Sequence, residues 1–121
     1  MRKKLKVLER ANVDAIIQYL VLKRIPYVRI TNTGVIIKDK RGTVFGRRKH
    51  DQKGAPDIIC AYRGVPIAIE VKSSDGKARP EQIEWLVNWQ NNGSGQWIVA
   101  STVVQVSNLM HEIEGGKHGN R

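Results

Sequence analysis

The chain has 121 residues, a formal net charge of +10 and 40% hydrophobic residues. That size suits one domain with a modest core, and the apolar share excludes a chain that stays unfolded for want of hydrophobic surface. The charge favours a polyanionic partner, and the single cysteine, Cys60, excludes an intramolecular disulfide.

The N-terminus, Met1-Arg2-Lys3-Lys4, is basic, but no long apolar run follows it. Neither a signal peptide nor a membrane span is expected. Leu5 to Arg24 is predicted to be a helix, since Leu5, Leu8, Val13, Ile16, Ile17 and Leu20 recur at three- and four-residue steps. Pro26 ends it. Glu9 borders the apolar stripe near the helix start, where an acid is ordinarily favoured by the helix dipole.

Tyr27 to Thr31 reads as a first strand, with Asn32-Thr33-Gly34 as a turn. Val35-Ile36-Ile37 either continues the sheet or forms a short edge. Lys38 to Lys53 is predicted to be a long basic loop carrying Lys38, Lys40, Arg41, Arg47, Arg48, Lys49 and Lys53. Loops of this length in a compact domain are usually functional or disordered. Clustered Arg and Lys suit phosphate contacts, with counterion release supplying affinity. A solvated loop is the alternative, and His50 is either a proton shuttle, a phosphate contact or simply part of it.

Gly54-Ala55-Pro56-Asp57 then leads into the apolar run Ile58-Ile59-Cys60-Ala61-Tyr62. Arg63-Gly64 reads as a tight turn and Val65 to Val71 as the return strand. A hairpin symmetric about that turn sets Tyr62 opposite Val65 and Asp57 opposite Glu70. Directly opposite residues have Cβ atoms about 4.5–5.5 Å apart, which suits two carboxylates sharing a cation. Glu70 and Lys72 lie on one face, Ile69 and Val71 on the other. Both strands are apolar on each face, as in central strands of a layered α/β fold. Cys60, inside such a strand, is expected to be a buried structural thiol of a reducing compartment.

Those residue types serve phosphodiester hydrolysis. Mg²⁺ takes oxygen ligands, commonly one or two carboxylates with waters and phosphate. A bound cation polarises a phosphoryl oxygen and lowers the pKa of a water. Lys72 is placed to orient or help deprotonate that water, or to stabilise charge on the pentacovalent phosphate. The competing reading is a surface Glu–Lys ion pair with Asp57 capping a turn.

Ser73 to Ala78 is a loop with Asp75-Gly76 as its turn, and Lys77 and Arg79 add charge nearby. Pro80 opens a helix to about Gln90, with Ile83, Leu86 and Val87 as its stripe. Trp85 and Trp89, four apart, are expected in packing or at an interface. Gln96 to Ala100 is the next strand, and Ser101 or Thr102 caps a helix over about Val103 to Ile113. The segment from Gly115 onward is expected to be a disordered tail. The unit from Ile67 to Ala100 is expected to be a right-handed parallel crossover.

The runs Lys53-Gly54-Ala55-Pro56-Asp57-Ile58, Ile69-Glu70-Val71-Lys72-Ser73 and Pro80-Glu81-Gln82, in this element order, resemble the PD-(D/E)XK nuclease superfamily. More closely, they resemble its VRR-NUC domains, the virus-type replication–repair nuclease modules. The resemblance spans Glu9 to the last helix. It implies an α/β, restriction-endonuclease-like core of about four strands in the order α-β-β-β-α-β-α, as one domain over residues 1–114. It also implies Mg²⁺ or Mn²⁺ on Asp57 and Glu70, helped by the Val71 carbonyl. Lys72 becomes the catalytic lysine, Glu9 a further metal ligand, and Gln82 the active-site glutamine.

By the same resemblance the chain is similar to stand-alone, phage-like members. The expectation is a homodimeric resolvase of branched DNA such as four-way junctions, working in the (host) cytoplasm. DNA and a second copy are the expected partners, with no membrane and no small-molecule cofactor. Trp85, Trp89 and Trp97 are the interface candidates. The alternatives are a nuclease of flaps or ordinary duplex, and a non-catalytic basic nucleic-acid-binding module that uses the Lys38–Lys53 segment. No base-reading motif is visible, which favours recognition of shape.

Overall fold

Val65–Val71 is buried along nearly its whole length, and the rest of the chain is built around it. The computed structural model describes residues 2–31, 35–38, 40–48, 53–93 and 95–116. In chain order these form α1 (Arg2–Leu22), β1 (Tyr27–Arg29), β2 (Val35–Lys38), β3 (Val44–Arg48), β4 (Ile58–Tyr62), β5 (Val65–Val71), α2 (Pro80–Gly93), β6 (Gln96–Ala100) and α3 (Val103–Glu114). The main sheet has the order β1-β4-β5-β6. β1 and β5 flank β4 antiparallel, while β6 runs parallel to β5 after the α2 crossover.

The turn between β4 and β5 is the one read from Arg63-Gly64. Both residues have positive φ, 50° and 81°, as a type I′ hairpin turn requires. Tyr62 faces Val65, and Ile58 faces Ile69.

Alternation along β5 sorts the layers. Val65, Ile67, Ile69 and Val71 share one core with Val13, Ile16 and Leu20 of α1 and with Val106, Met110 and Ile113 of α3. The other face carries Glu70, which bonds to Gln82 of α2. Helices therefore cover both faces, which is why the strands are apolar throughout. Each fully buried Ile or Leu contributes roughly 1.5–3 kcal/mol by leaving water.

The helix ends follow local chemistry. α1 stops at Leu22, before the expected Arg24. Arg24 adopts φ 58°, its N–H bonds to the Val21 carbonyl, and the Ile25 N–H bonds to the Leu20 carbonyl at 2.9 Å. That is a Schellman closure with arginine where glycine is usual. Of the two cap candidates for α3, Thr102 is used, in a capping box with Gln105.

The basic segment differs from expectation. Instead of one long loop over Lys38–Lys53, Val44–Arg48 pairs with Val35–Lys38, Ile36 facing Arg47 and Val35 facing Arg48. This two-stranded sheet is separate from the main one. Gly42, at φ 85°, sits in its connection. The β-branched run Val35-Ile36-Ile37 and Val44-Phe45 supply the strand propensity; the charges around them hid it. The predicted turn at 32–34, His50 and the tail beyond Gly116 lie outside the described residues.

Cys60 is buried in β4, and burial pushes its thiol up to about 12, as for an inert structural cysteine. Among the described residues, no helix is long and apolar enough to cross a membrane.

Candidate active site

The site lies where β4 begins and β5 ends. Asp57 immediately precedes β4. Its carbonyl accepts from the Ile30 N–H at 2.8 Å and its N–H donates to the Ile69 carbonyl at 3.1 Å. A strictly symmetric hairpin would set Asp57 against Glu70, so the pairing slips at this point. The Asp57 carboxylate, through Oδ2, instead accepts from the Val71 N–H at 2.8 Å.

The preceding residues fix that position. Ala55 and Pro56 are buried. Gly54 has φ 86°, and a Cβ there would stand 2.8 Å from the Glu81 carbonyl carbon and 3.2 Å from the Gln82 nitrogen. Only glycine allows this close approach to the first turn of α2.

Glu70 is 3% exposed, which is rare for a carboxylate without partners. Its Oε2 accepts from Gln82 Nε2 at 2.8 Å and lies 3.2 Å from Lys72 Nζ. Gln82 is itself buried, and its Oε1 accepts from the Arg79 N–H at 2.8 Å. That bond is half of a capping box at the start of α2. One amide thus closes a helix end and holds the Glu70 carboxylate. The Lys72 backbone is held as well: its N–H donates to the Ala100 carbonyl, and its own carbonyl accepts from Asn12 Nδ2, both at 2.9 Å.

Crowding shapes the electrostatics. Burial, then the neighbouring Asp57 charge, push the Glu70 carboxyl up to about 7, against the opposing pull of Lys72. Burial also raises Asp57, opposed by the Val71 hydrogen bond, Lys72, a hydrogen bond with Glu70 and Arg29. Two carboxyls this close, both poorly hydrated, resist ionising together. A divalent cation removes that conflict, and the oxygen-only donors suit Mg²⁺ or Mn²⁺. Asp57, Glu70 and the Val71 carbonyl therefore fit the expected metal.

Glu9 is a different matter. It is half-buried on α1, one turn before Asn12. Among the described residues, no group of three or more His, Cys, Asp or Glu is gathered as a metal site, so Glu9 is not brought to the pair.

Of the expected DNA contacts, Arg47 and Arg48 lie on β3. Lys49 falls outside the described residues. Lys53 is exposed and lines a groove of about 310 Å³ with Glu81, Glu84, Trp85 and Asn88.

The tryptophans are half-buried and make contacts within the chain. Trp85 and Trp89 stack at 5.5 Å, Trp89 Nε1 donates to the Gln96 carbonyl, and Trp97 Nε1 donates to Gln90 Oε1. The large apolar side chains that α2 leaves exposed are Ile83 and Val87.

Two residues escaped the sequence reading. Arg29, at the end of β1, acts electrostatically on Asp57 and pairs with Asp14 at 3.5 Å. Asn12 bonds to the lysine backbone. Its signal was a polar residue one turn from Glu9, beside the apolar stripe.

Comparison with known families concerns the fold and the family. The family "Archaeal holliday junction resolvase (hjc)" matches residues 41–120, well over half of the chain. The chain belongs to that resolvase family. A solved structure titled "VRR_NUC domain" superposes with a TM-score of 0.57 at 19% identity, over 86% of this chain and 95% of the other. Identity that low speaks for the fold, and the fold is the restriction-endonuclease-like one that the motifs implied. Both matches lie in the PD-(D/E)XK nuclease superfamily. No curated protein matches the chain.

Proposed function

We propose that this resolvase-family protein is a metal-dependent endonuclease that cuts branched DNA, four-way junctions foremost, as a homodimer. The observation that carries the reading is the convergence of Asp57, Glu70 and Lys72, with Gln82 holding Glu70. A surface ion pair would not need Glu70 buried, nor a helix cap spent on orienting it.

Asp57, Glu70 and the Val71 carbonyl would hold Mg²⁺ or Mn²⁺. The bound cation supplies charge neutralisation at the phosphate and a water of lowered pKa. Lys72, 11% exposed and beside Glu70, places one positive charge at the edge of the pair. There it orients or helps deprotonate the attacking water, or stabilises charge developing on the phosphoryl oxygens. Gln82 and the Val71 N–H keep the carboxyls aimed, so the groups are arranged before substrate arrives.

Arg47, Arg48, Lys49 and Lys53 take the DNA backbone, by charge and shape rather than base sequence. A homodimer fits because paired incision of two strands needs two sites at fixed spacing. The compartment proposed is the cytoplasm, where the buried Cys60 stays reduced.

The test compares end-labelled four-way junction, flap and linear duplex with Mg²⁺, Mn²⁺ or EDTA. Paired symmetric cuts in the junction, lost in EDTA, support the resolvase. Equal cutting of all three substrates leaves a nuclease without junction preference. Tight binding with no cutting under either metal leaves a binding module.

A further inference from the structure

We propose that Asn12 is a positioning residue of this nuclease: its side-chain amide clamps the peptide that carries Lys72 and sets α1 against the catalytic strand. The inference rests on the nuclease reading and adds a residue that neither the motifs nor the family match points to.

The argument starts from the strand end. β5 finishes at Val71, so the Lys72 peptide lies beyond the β4–β5 ladder. Past a strand end, backbone polar groups lose their ladder partners and need others. The Lys72 N–H finds the Ala100 carbonyl at 2.9 Å, on one side. The Lys72 carbonyl finds Asn12 Nδ2 at 2.9 Å, from a residue 60 positions earlier in the chain. A residue whose two flanking peptides are both held cannot rotate freely, and the Cα between them launches the lysine side chain.

The same bond fixes α1. Positions three apart on a helix are neighbours on its surface, so Glu9 sits one turn along α1 from Asn12. Behind them, Val13 and Ile16 are buried in the core. Apolar packing alone leaves a helix free to roll or slide by small amounts. One directional hydrogen bond to the catalytic strand removes that freedom. Asn12 thus holds Lys72 in place and ties α1 to the end of β5.

Position matters because catalysis depends steeply on it: a displacement of about 1 Å can cost on the order of a hundredfold in rate. Asn12→Leu keeps similar bulk and deletes the donor. Single-turnover junction cleavage at saturating enzyme should fall about tenfold or more, while junction Kd stays within about twofold of wild type. Asn12→Asp is isosteric, has no donor when ionised, and covers the case in which the leucine variant folds poorly.

A readout independent of cleavage is the Ser73 amide, which belongs to the same peptide plane as the Lys72 carbonyl. Its ¹H–¹⁵N resonance should shift in both variants. Unchanged cleavage and an unmoved Ser73 resonance would overturn the proposal. So would loss of cleavage matched by an equal loss of junction affinity. If wild-type protein cuts nothing with either metal, the nuclease reading has failed, and the Ser73 resonance still decides whether the clamp exists.

Discussion

Gln82 Nε2 donates to Glu70 Oε2 across 2.8 Å, and both side chains are buried. The same glutamine closes the first turn of α2 through the Arg79 N–H. The helix end and the Glu70 carboxylate are therefore one hydrogen-bonded unit. Removing its centre leaves a buried carboxylate short of a donor, which costs about 1–3 kcal/mol. Gln82→Ala should lower stability by that amount and junction cleavage by about tenfold to hundredfold, since supports of a metal ligand cost that much when lost. Thermal unfolding beside single-turnover cleavage checks both.

The acid pair gives the metal-free protein a pH signature. The Glu70 carboxyl is pushed from 4.5 up to about 7, so the folded state holds this proton more tightly than the unfolded chain. Its contribution is favourable below the unfolded value and is lost as pH rises through the folded one. The loss is on the order of 3 kcal/mol for a shift of this size. In EDTA, Tm should fall between about pH 4.5 and 7. Glu70→Gln should flatten that slope, and Mg²⁺ or Mn²⁺ should raise Tm most at the alkaline end, by binding only the folded state. Tm measured against pH, with and without metal, reads all three.

Arg47 and Arg48 lie side by side on β3. Arg47→Ala and Arg48→Ala should each weaken junction binding. The variant that removes a phosphate contact should also reduce the log Kd against log salt slope by about 0.9. Binding isotherms at several salt concentrations test this, and unchanged affinity in both variants would remove the hairpin from the DNA interface.

The legible parts of the chain were those in which local pattern and tertiary context agree. Arg63-Gly64 between two apolar runs fixed the hairpin and its register, and that register brought Asp57 and Glu70 to one end. Pro80 and Thr102 marked their helix starts. The β2–β3 pairing was obscured because its alternation is interrupted by Arg and Lys, which read as loop. The slip at Asp57 needs the close approach of Gly54 to α2, a contact between segments far apart in sequence. Asn12 and Arg29 act through such distant contacts too, on Lys72 and Asp57; the place of Asn12 one turn from Glu9 was its one local sign, and Arg29 had none.

The most direct test is cleavage of a labelled four-way junction with Mn²⁺ and with EDTA, by wild-type protein and by Lys72→Ala. Cutting by the wild type that vanishes in EDTA and in the variant, with junction binding retained by both, is the expected result. Equal cutting by Lys72→Ala, or cutting that persists in EDTA, would contradict the assignment of this site.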